Sequence, residues 1–126
     1  MRGGFVAGVV AIVTLAGCGG GSEDQKARDT ASAFVKAVGA HDGAKACSLL
    51  TDQGQATYSQ LGDVPCSTGV LALQIAGDSK IVDVRIRGDA AVVGLRGGTG
   101  RRFLVFLKRR GDSWKVDSSD AGAGLP

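Results

Sequence analysis

The sequence predicts an α+β fold, with N-terminal helices packed on a curved antiparallel four-stranded meander. Two observations carry this. Before Asp78 the apolar residues recur at helical spacing, and after it they alternate with polar ones. Turns built on glycine, at Gly88-Asp89, at 97–100 ("GGTG") and at Arg110-Gly111-Asp112, then cut the alternating half into four strand-length runs.

The first helix is expected over 27–40, where Ala27, Ala31, Phe34, Val35 and Val38 fall on one face and Arg28, Asp29, Ser32 and Lys36 elsewhere. Gly39 suits its C-terminal end. The "HDG" turn follows, and Asp42 is placed to cap a second helix over about 43–50 whose inward residues are Ala46, Cys47, Leu49 and Leu50. Thr51 or Asp52 caps a third short segment ending near Leu61, with Tyr58 and Leu61 as its apolar contacts. After Pro65, the run 67–76 reads as helix or strand; a short helix capped by Ser67 and ending at Gly77 is the favoured form.

In the strand half, Val82, Val84 and Ile86 form one face of the first run, opposite Asp83, Arg85 and Arg87. Ala91, Val93 and Leu95 alternate in the second. The third places Phe103, Val105 and Leu107 on one face and Leu104 and Phe106 on the other, which suits a central strand covered in part on both sides. Trp114 and Val116 point inward from the last. "RGD" occurs twice, at 87–89 and 110–112; both copies sit at hairpin tips, where Gly-Asp is turn chemistry. The end of the chain, 119–126, is polar and glycine-rich and reads as a disordered tail.

The start of the chain follows different rules. Arg2 precedes an apolar run from Phe5 to Leu15, the pattern of a signal peptide. The run is shorter than the about 20 residues a spanning helix needs. It ends on Leu15-Ala16-Gly17-Cys18, which resembles the lipobox of bacterial lipoproteins. In that family the cysteine thiol receives a diacylglyceryl group and a peptidase cuts before it. The resemblance implies a signal peptide over 1–17, lipidation at Cys18, and a chain held by two acyl chains to the outer face of the cytoplasmic membrane. An ordinary secreted protein with a cysteine near its cleavage site is the alternative. Residues 18–26, beginning with three glycines after the cysteine, then read as a flexible tether.

Charge divides the chain. Residues 18–79 carry 4 basic and 7 acidic side chains, and residues 80–126 carry 10 basic and 5 acidic. The plain account is that exposed strand faces use arginine for solubility. The sharper one sets a basic face against anionic headgroups or cell-wall polymer. Export and the lack of an aromatic-rich strand pattern argue against nucleic acid. Of the three cysteines, Cys47 and Cys66 remain after Cys18, and an even pair in an exported domain reads as a disulfide. Two free thiols or a metal pair are the alternatives. His41, the one histidine, completes no four-ligand zinc site with them unless carboxylates join.

The amphipathic "AFVKAV" helix, "HDGAKACSLL", the second cysteine and the closing "GDSWKVD" together resemble the NTF2-like superfamily. More narrowly, they resemble small bacterial lipoproteins of actinobacterial type with NTF2-like or DUF4878-like domains, over about 27–118. The resemblance implies a bent sheet wrapping the first helix into a cone, often with a pocket inside, and sheet-to-sheet homodimers. Phe34, Tyr58, Phe103 and Trp114 are the candidate pocket lining. Ketosteroid-isomerase and SnoaL-type enzymes resemble this architecture too, with an Asp, Tyr or His inside the cone. Here the inward strand positions are apolar, so no catalytic constellation, metal site or cofactor is assigned. What is expected is a non-catalytic binding or interaction module whose partner is an envelope protein, a polymer or a small apolar ligand.

Overall fold

The computed structural model describes residues 11–60 and 63–121, with side chains from residue 23. Among these residues the helices come first: α1 (Ala11–Gly39), α2 (Gly43–Ser48), α3 (Asp52–Gln60) and α4 (Cys66–Gly69), which runs into a 3-10 turn at Val70–Leu73. Four strands follow, β1 (Lys80–Arg87), β2 (Ala90–Arg96), β3 (Arg102–Arg110) and β4 (Ser113–Ser119). They pair antiparallel in sequence order, which is the α+β meander expected. The sheet is curled but not closed.

The core forms where α1 crosses the inner face of the sheet. Ala27, Ala31, Phe34, Val35 and Val38 are buried on α1, as their spacing predicts. Facing them are Ala91, Val93, Leu95, Phe103, Val105, Leu107, Trp114 and Val116, also buried. The short helices close the side of this core. Asp42 Oδ1 accepts from the Lys45 amide at 3.1 Å and so caps α2. Thr51 Oγ1 accepts from the Gly54 amide at 3.0 Å and caps α3. Leu49 and Thr51 bond the backbone of Val116, tying the α2–α3 connection to the free edge of β4. The Cys47 and Cys66 sulfurs stand at disulfide distance, with Cα atoms 5.9 Å apart.

Several expectations are corrected. The first helix does not start at residue 27: α1 includes 18–26, the segment expected as a flexible tether. Its described side chains suit a helix. Lys26 pairs with Glu23 at 3.7 Å, Arg28 with Asp24 at 2.8 Å, and Gln25 donates to Asp29 at 2.8 Å, all at helical spacing. The chain beyond residue 118 is not a free tail from its start. Ser119 belongs to β4, and Asp120 Oδ1 accepts from the Leu104 amide at 2.6 Å while Ser119 Oγ donates to the Leu104 carbonyl at 2.9 Å. The ordered unit therefore extends past 27–118 at both ends. The rest of the tail, Leu61 and residues 1–10 of the signal-peptide run lie outside the described residues, as does the Cys18 side chain.

Ser67 does not cap the fourth helix. Pro65 occupies the cap position, and its carbonyl accepts from the Thr68 and Gly69 amides, both at 2.9 Å. The helical segment stops at Leu73 rather than Gly77, because Gln74 takes a left-handed conformation with φ of 53°. In β1, Val82 is exposed (42%) instead of inward. Ile81 pairs with Leu95 but Asp83 with Gly94, so a bulge at Val82 shifts the alternation by one residue. Downstream of it Val84 regains the inner face opposite Val93 and is half-buried, while Ile86, also expected inward, stands opposite Ala91 near the end of this edge strand and is exposed (37%). Leu104, expected to be partly covered on the outer face of β3, is 37% exposed. No second layer lies over that face among the described residues.

Candidate functional site

Two loops meet at one end of the sheet. In an antiparallel meander the chain entering β1 and the turn leaving β2 share that end, so residues 73–79 face the β2–β3 turn at 97–101. The entry loop is held by a close backbone approach: a Cβ on Gly39 would overlap the backbone of Gly77, so glycine is required where the end of α1 meets the loop. Ser79 Oγ donates to the Ala76 carbonyl at 2.7 Å and tightens the loop. Across from it, the Gly97 amide donates to the Arg101 carbonyl at 2.8 Å, and Gly100 turns with φ of 90°.

Between the loops lies a cavity of about 400 Å³. Its apolar wall is Leu73, Ile75, Ala76, Phe103 and Ala121. Its polar rim is Gln74, Asp78, Ser79, Thr99 and Arg101, with Gly97 and Gly98 leaving backbone open. Asp78 lies against Gly98, where a Cβ would stand 3.0 Å from the carboxylate. The lining thus offers an apolar floor and, at the mouth, one carboxylate, one guanidinium, one amide and two hydroxyls. It holds no imidazole or thiol, and His41 sits elsewhere, in the α1–α2 turn with φ of 60°. Such a set can orient and hold a small molecule. Among the described residues no group of three His, Cys, Asp or Glu side chains comes together to hold a metal.

Of the four residues expected to line a pocket, Phe103 does so, at the cavity floor. Phe34, Tyr58 and Trp114 do not line this cavity. They fill the space between α1, the short helices and the sheet, at 0%, 5% and 2% exposure. Burial pushes the Tyr58 phenol above its ordinary pKa, with Asp117 adding to the shift and the Ser119 backbone opposing it. A second hollow, of about 230 Å³, lies between the start of α3 and β4. Its polar groups serve the fold: Lys115 Nζ donates to the Ser48 carbonyl at 3.0 Å, Thr51 Oγ1 to Asp117 at 2.8 Å, and Gln55 Nε2 to the Cys47 carbonyl at 2.9 Å.

At the opposite end of the sheet, Trp114 anchors the middle of α1. Its Nε1 donates to Glu23 Oε1 at 3.0 Å, Arg109 pairs with Glu23 at 3.1 Å and with Asp89 at 2.9 Å, and the guanidinium lies 5.7 Å from the Trp114 ring centre. The indole hydrogen bond, helped by Lys26 and Arg109, holds the Glu23 carboxyl below its ordinary value near 4.5, against a smaller opposing effect of desolvation. A carboxyl lowered on folding stabilises the protein above its unfolded pKa, and that contribution is lost as pH falls through the folded value. Glu23→Gln keeps the acceptor for Trp114 and removes the charge. Its deficit in urea midpoint relative to wild type is expected to be constant above about pH 5 and to shrink towards pH 3. A deficit independent of pH would show that the charge is immaterial.

Comparison with protein-family models, with curated proteins and with solved structures finds no match.

Proposed function

We propose that this chain is a lipid-anchored cell-envelope protein, held at the outer face of the cytoplasmic membrane through Cys18, whose NTF2-like domain binds a small ligand without catalysing a reaction. The observation that carries the binding half is the cavity between residues 73–79 and 97–101. At about 400 Å³ it falls in the size range of ligand sites, and it joins an apolar floor to a rim of hydrogen-bonding groups. That chemistry suits an amphipathic molecule with an apolar body and a polar head. The site differs from the cone interior of the resembled superfamily, which here is filled by Phe34, Tyr58 and Trp114. The anchoring half rests on the basic start, the apolar run and Leu15-Ala16-Gly17-Cys18. Among the described residues no helix is long and apolar enough to cross a membrane.

Paired native and denaturing intact-mass spectra of the protein extracted from its own membranes test both halves. The denaturing mass is expected to be that of residues 18–126 plus a diacylglyceryl group, and Cys18→Ala is expected to leave an uncleaved, unmodified precursor. A mature chain without lipid overturns the anchor. The native spectrum is expected to show an added small mass that Ala76→Trp, which fills the cavity from its exposed side, abolishes without lowering the melting temperature. Equal native and denaturing masses, or an added mass indifferent to Ala76→Trp, overturn the ligand site.

A further inference from the structure

The strand register sorts the basic half of the chain by face. Ala91, Val93, Leu95, Phe103, Val105, Leu107, Trp114 and Val116 are inner, so their strand neighbours are outer. By that rule Lys80, Arg85, Arg87, Arg96, Arg102, Lys108 and Arg110 project from the outer face. That is seven of the ten Lys and Arg residues after position 79. The other three are Lys115, whose ammonium turns to the Ser48 carbonyl, Arg109, turned inward to Glu23, and Arg101, in the β2–β3 turn. Acids are few on this face and engaged: Asp83 pairs with Arg85 at 3.6 Å, and Asp120 accepts from the Leu104 amide. The helical segment opposite, residues 23–79, carries 7 acids against 4 bases. The molecule is therefore charged with opposite signs on its two sides.

The outer face also carries apolar side chains at its centre. Val92 pairs with Phe106 and Gly94 with Leu104; the Asp83 carboxylate lies over Gly94, and the Val82 side chain stands beside it, 3.7 Å from where a Cβ on Gly94 would be. Val82 and Leu104 are the exposed members of this group, at 42% and 37%. The bulge in β1 is what puts Val82 there. A soluble polyanion has use for the cations but none for exposed valine and leucine among them. A bilayer of anionic lipids uses both, with phosphates against the rim of Lys and Arg and the apolar centre at the boundary of headgroup and acyl chain.

We propose that the outer face of the sheet is a docking surface for an anionic lipid bilayer. The domain lies on the membrane by its strands and presents its helices outward. This is independent of the Cys18 anchor and of the cavity. Each cation within a Debye length of such a surface, about 10 Å at 0.1 M salt, raises partitioning roughly fivefold.

The test is partitioning of the full chain carrying Cys18→Ser, so that no acyl chain contributes, onto vesicles of phosphatidylcholine alone or with about one-third phosphatidylglycerol. Binding to the anionic vesicles is expected to be at least tenfold stronger at 0.1 M salt and to fall as salt rises. Arg87→Glu with Lys108→Glu, two exposed residues in one cross-strand row, is expected to remove most of that preference. Lys36→Glu with Lys45→Glu, the same charge change on the helical side, is expected to keep it. Leu104→Ser is expected to weaken binding to anionic vesicles severalfold. Equal binding to both vesicle types, or equal loss from both pairs of reversals, overturns the proposal. So does an unchanged Leu104→Ser variant whose vesicle binding is competed away by soluble polyphosphate, which would mark the face as a polyanion site instead. Unaltered melting temperatures of the variants keep the comparison one of surfaces.

Discussion

Phe34→Ala is expected to cost about 3–5 kcal/mol, the range for removing a buried aromatic ring, and to lower the melting temperature by more than about 10 °C. Phe34 is fully buried, at 0% exposure, on the one helix that touches every strand. Its neighbours on that face, Ala27, Ala31, Val35 and Val38, are small. None of them can swing into the space the ring leaves, so much of it would persist as a void. Native stabilities of domains this size lie near 5–15 kcal/mol, so the loss is a large fraction of the whole. Leu104→Ala is the matched comparison. It deletes a large apolar side chain from the outer face, where Leu104 is 37% exposed, and is expected to change stability by no more than about 0.5 kcal/mol. Urea unfolding of both variants at one pH decides the matter. Similar losses for the two would mean that α1 is not packed as described.

That Phe34 belongs to the core was legible without coordinates, because the helical period and the strand period are local properties. Each inward residue named on α1, β2, β3 and β4 from periodicity alone is buried. The misreadings at Val82 and over 18–26 arise because the outcome depends on a partner far along the chain. Val82 looks inward by alternation, but alternation assumes that β1 and β2 pair one residue to one. The bulge opposite Gly94, a residue with no side chain to meet Asp83, breaks that assumption. The segment 18–26 looks like a tether because glycines open it. Glu23 nevertheless finds its partners, Trp114 and Arg109, about 90 residues away, which no local rule reports.

The cavity is not legible in the sequence for a related reason. Gln74, Asp78, Ser79, Thr99 and Arg101 read singly as turn and surface residues, and only the meander brings their two loops together. The predicted strand order does imply that the β1 entry and the β2–β3 turn share one end of the sheet. Aromatic character is a poor signal for the cavity: Phe34, Tyr58 and Trp114 pack the interior, since a domain with few large side chains uses them to fill its core.

Cys47→Ser with Cys66→Ser is expected to lower stability by about 3 kcal/mol, the loop-closure term for a cross-link across about 20 residues. The two positions are 19 residues apart in sequence, with α3 between them. The surroundings explain why the link matters. α2 and α4 are too short to hold themselves, at 6 and 4 residues, and each relies on close backbone contact. A Cβ on Gly43 would overlap the Ser67 backbone, and one on Gly69 would overlap the Tyr58 carbonyl. These approaches hold only while the α2–α4 corner stays registered, and a bond from Cys47 to Cys66 registers it from both sides. Loosening the corner also exposes the seat of Tyr58, so the loss is expected to appear in the Tyr58 environment before global unfolding. Wild-type protein in reductant should match the double variant, in urea midpoint and in near-ultraviolet dichroism. Equal stability of wild type and variant under oxidising conditions would mean that the pair is unbonded in solution. A variant more fragile than the reduced wild type would assign the difference to serine hydroxyls half-buried where thiols were, and Cys47→Ala with Cys66→Ala would then restore the match.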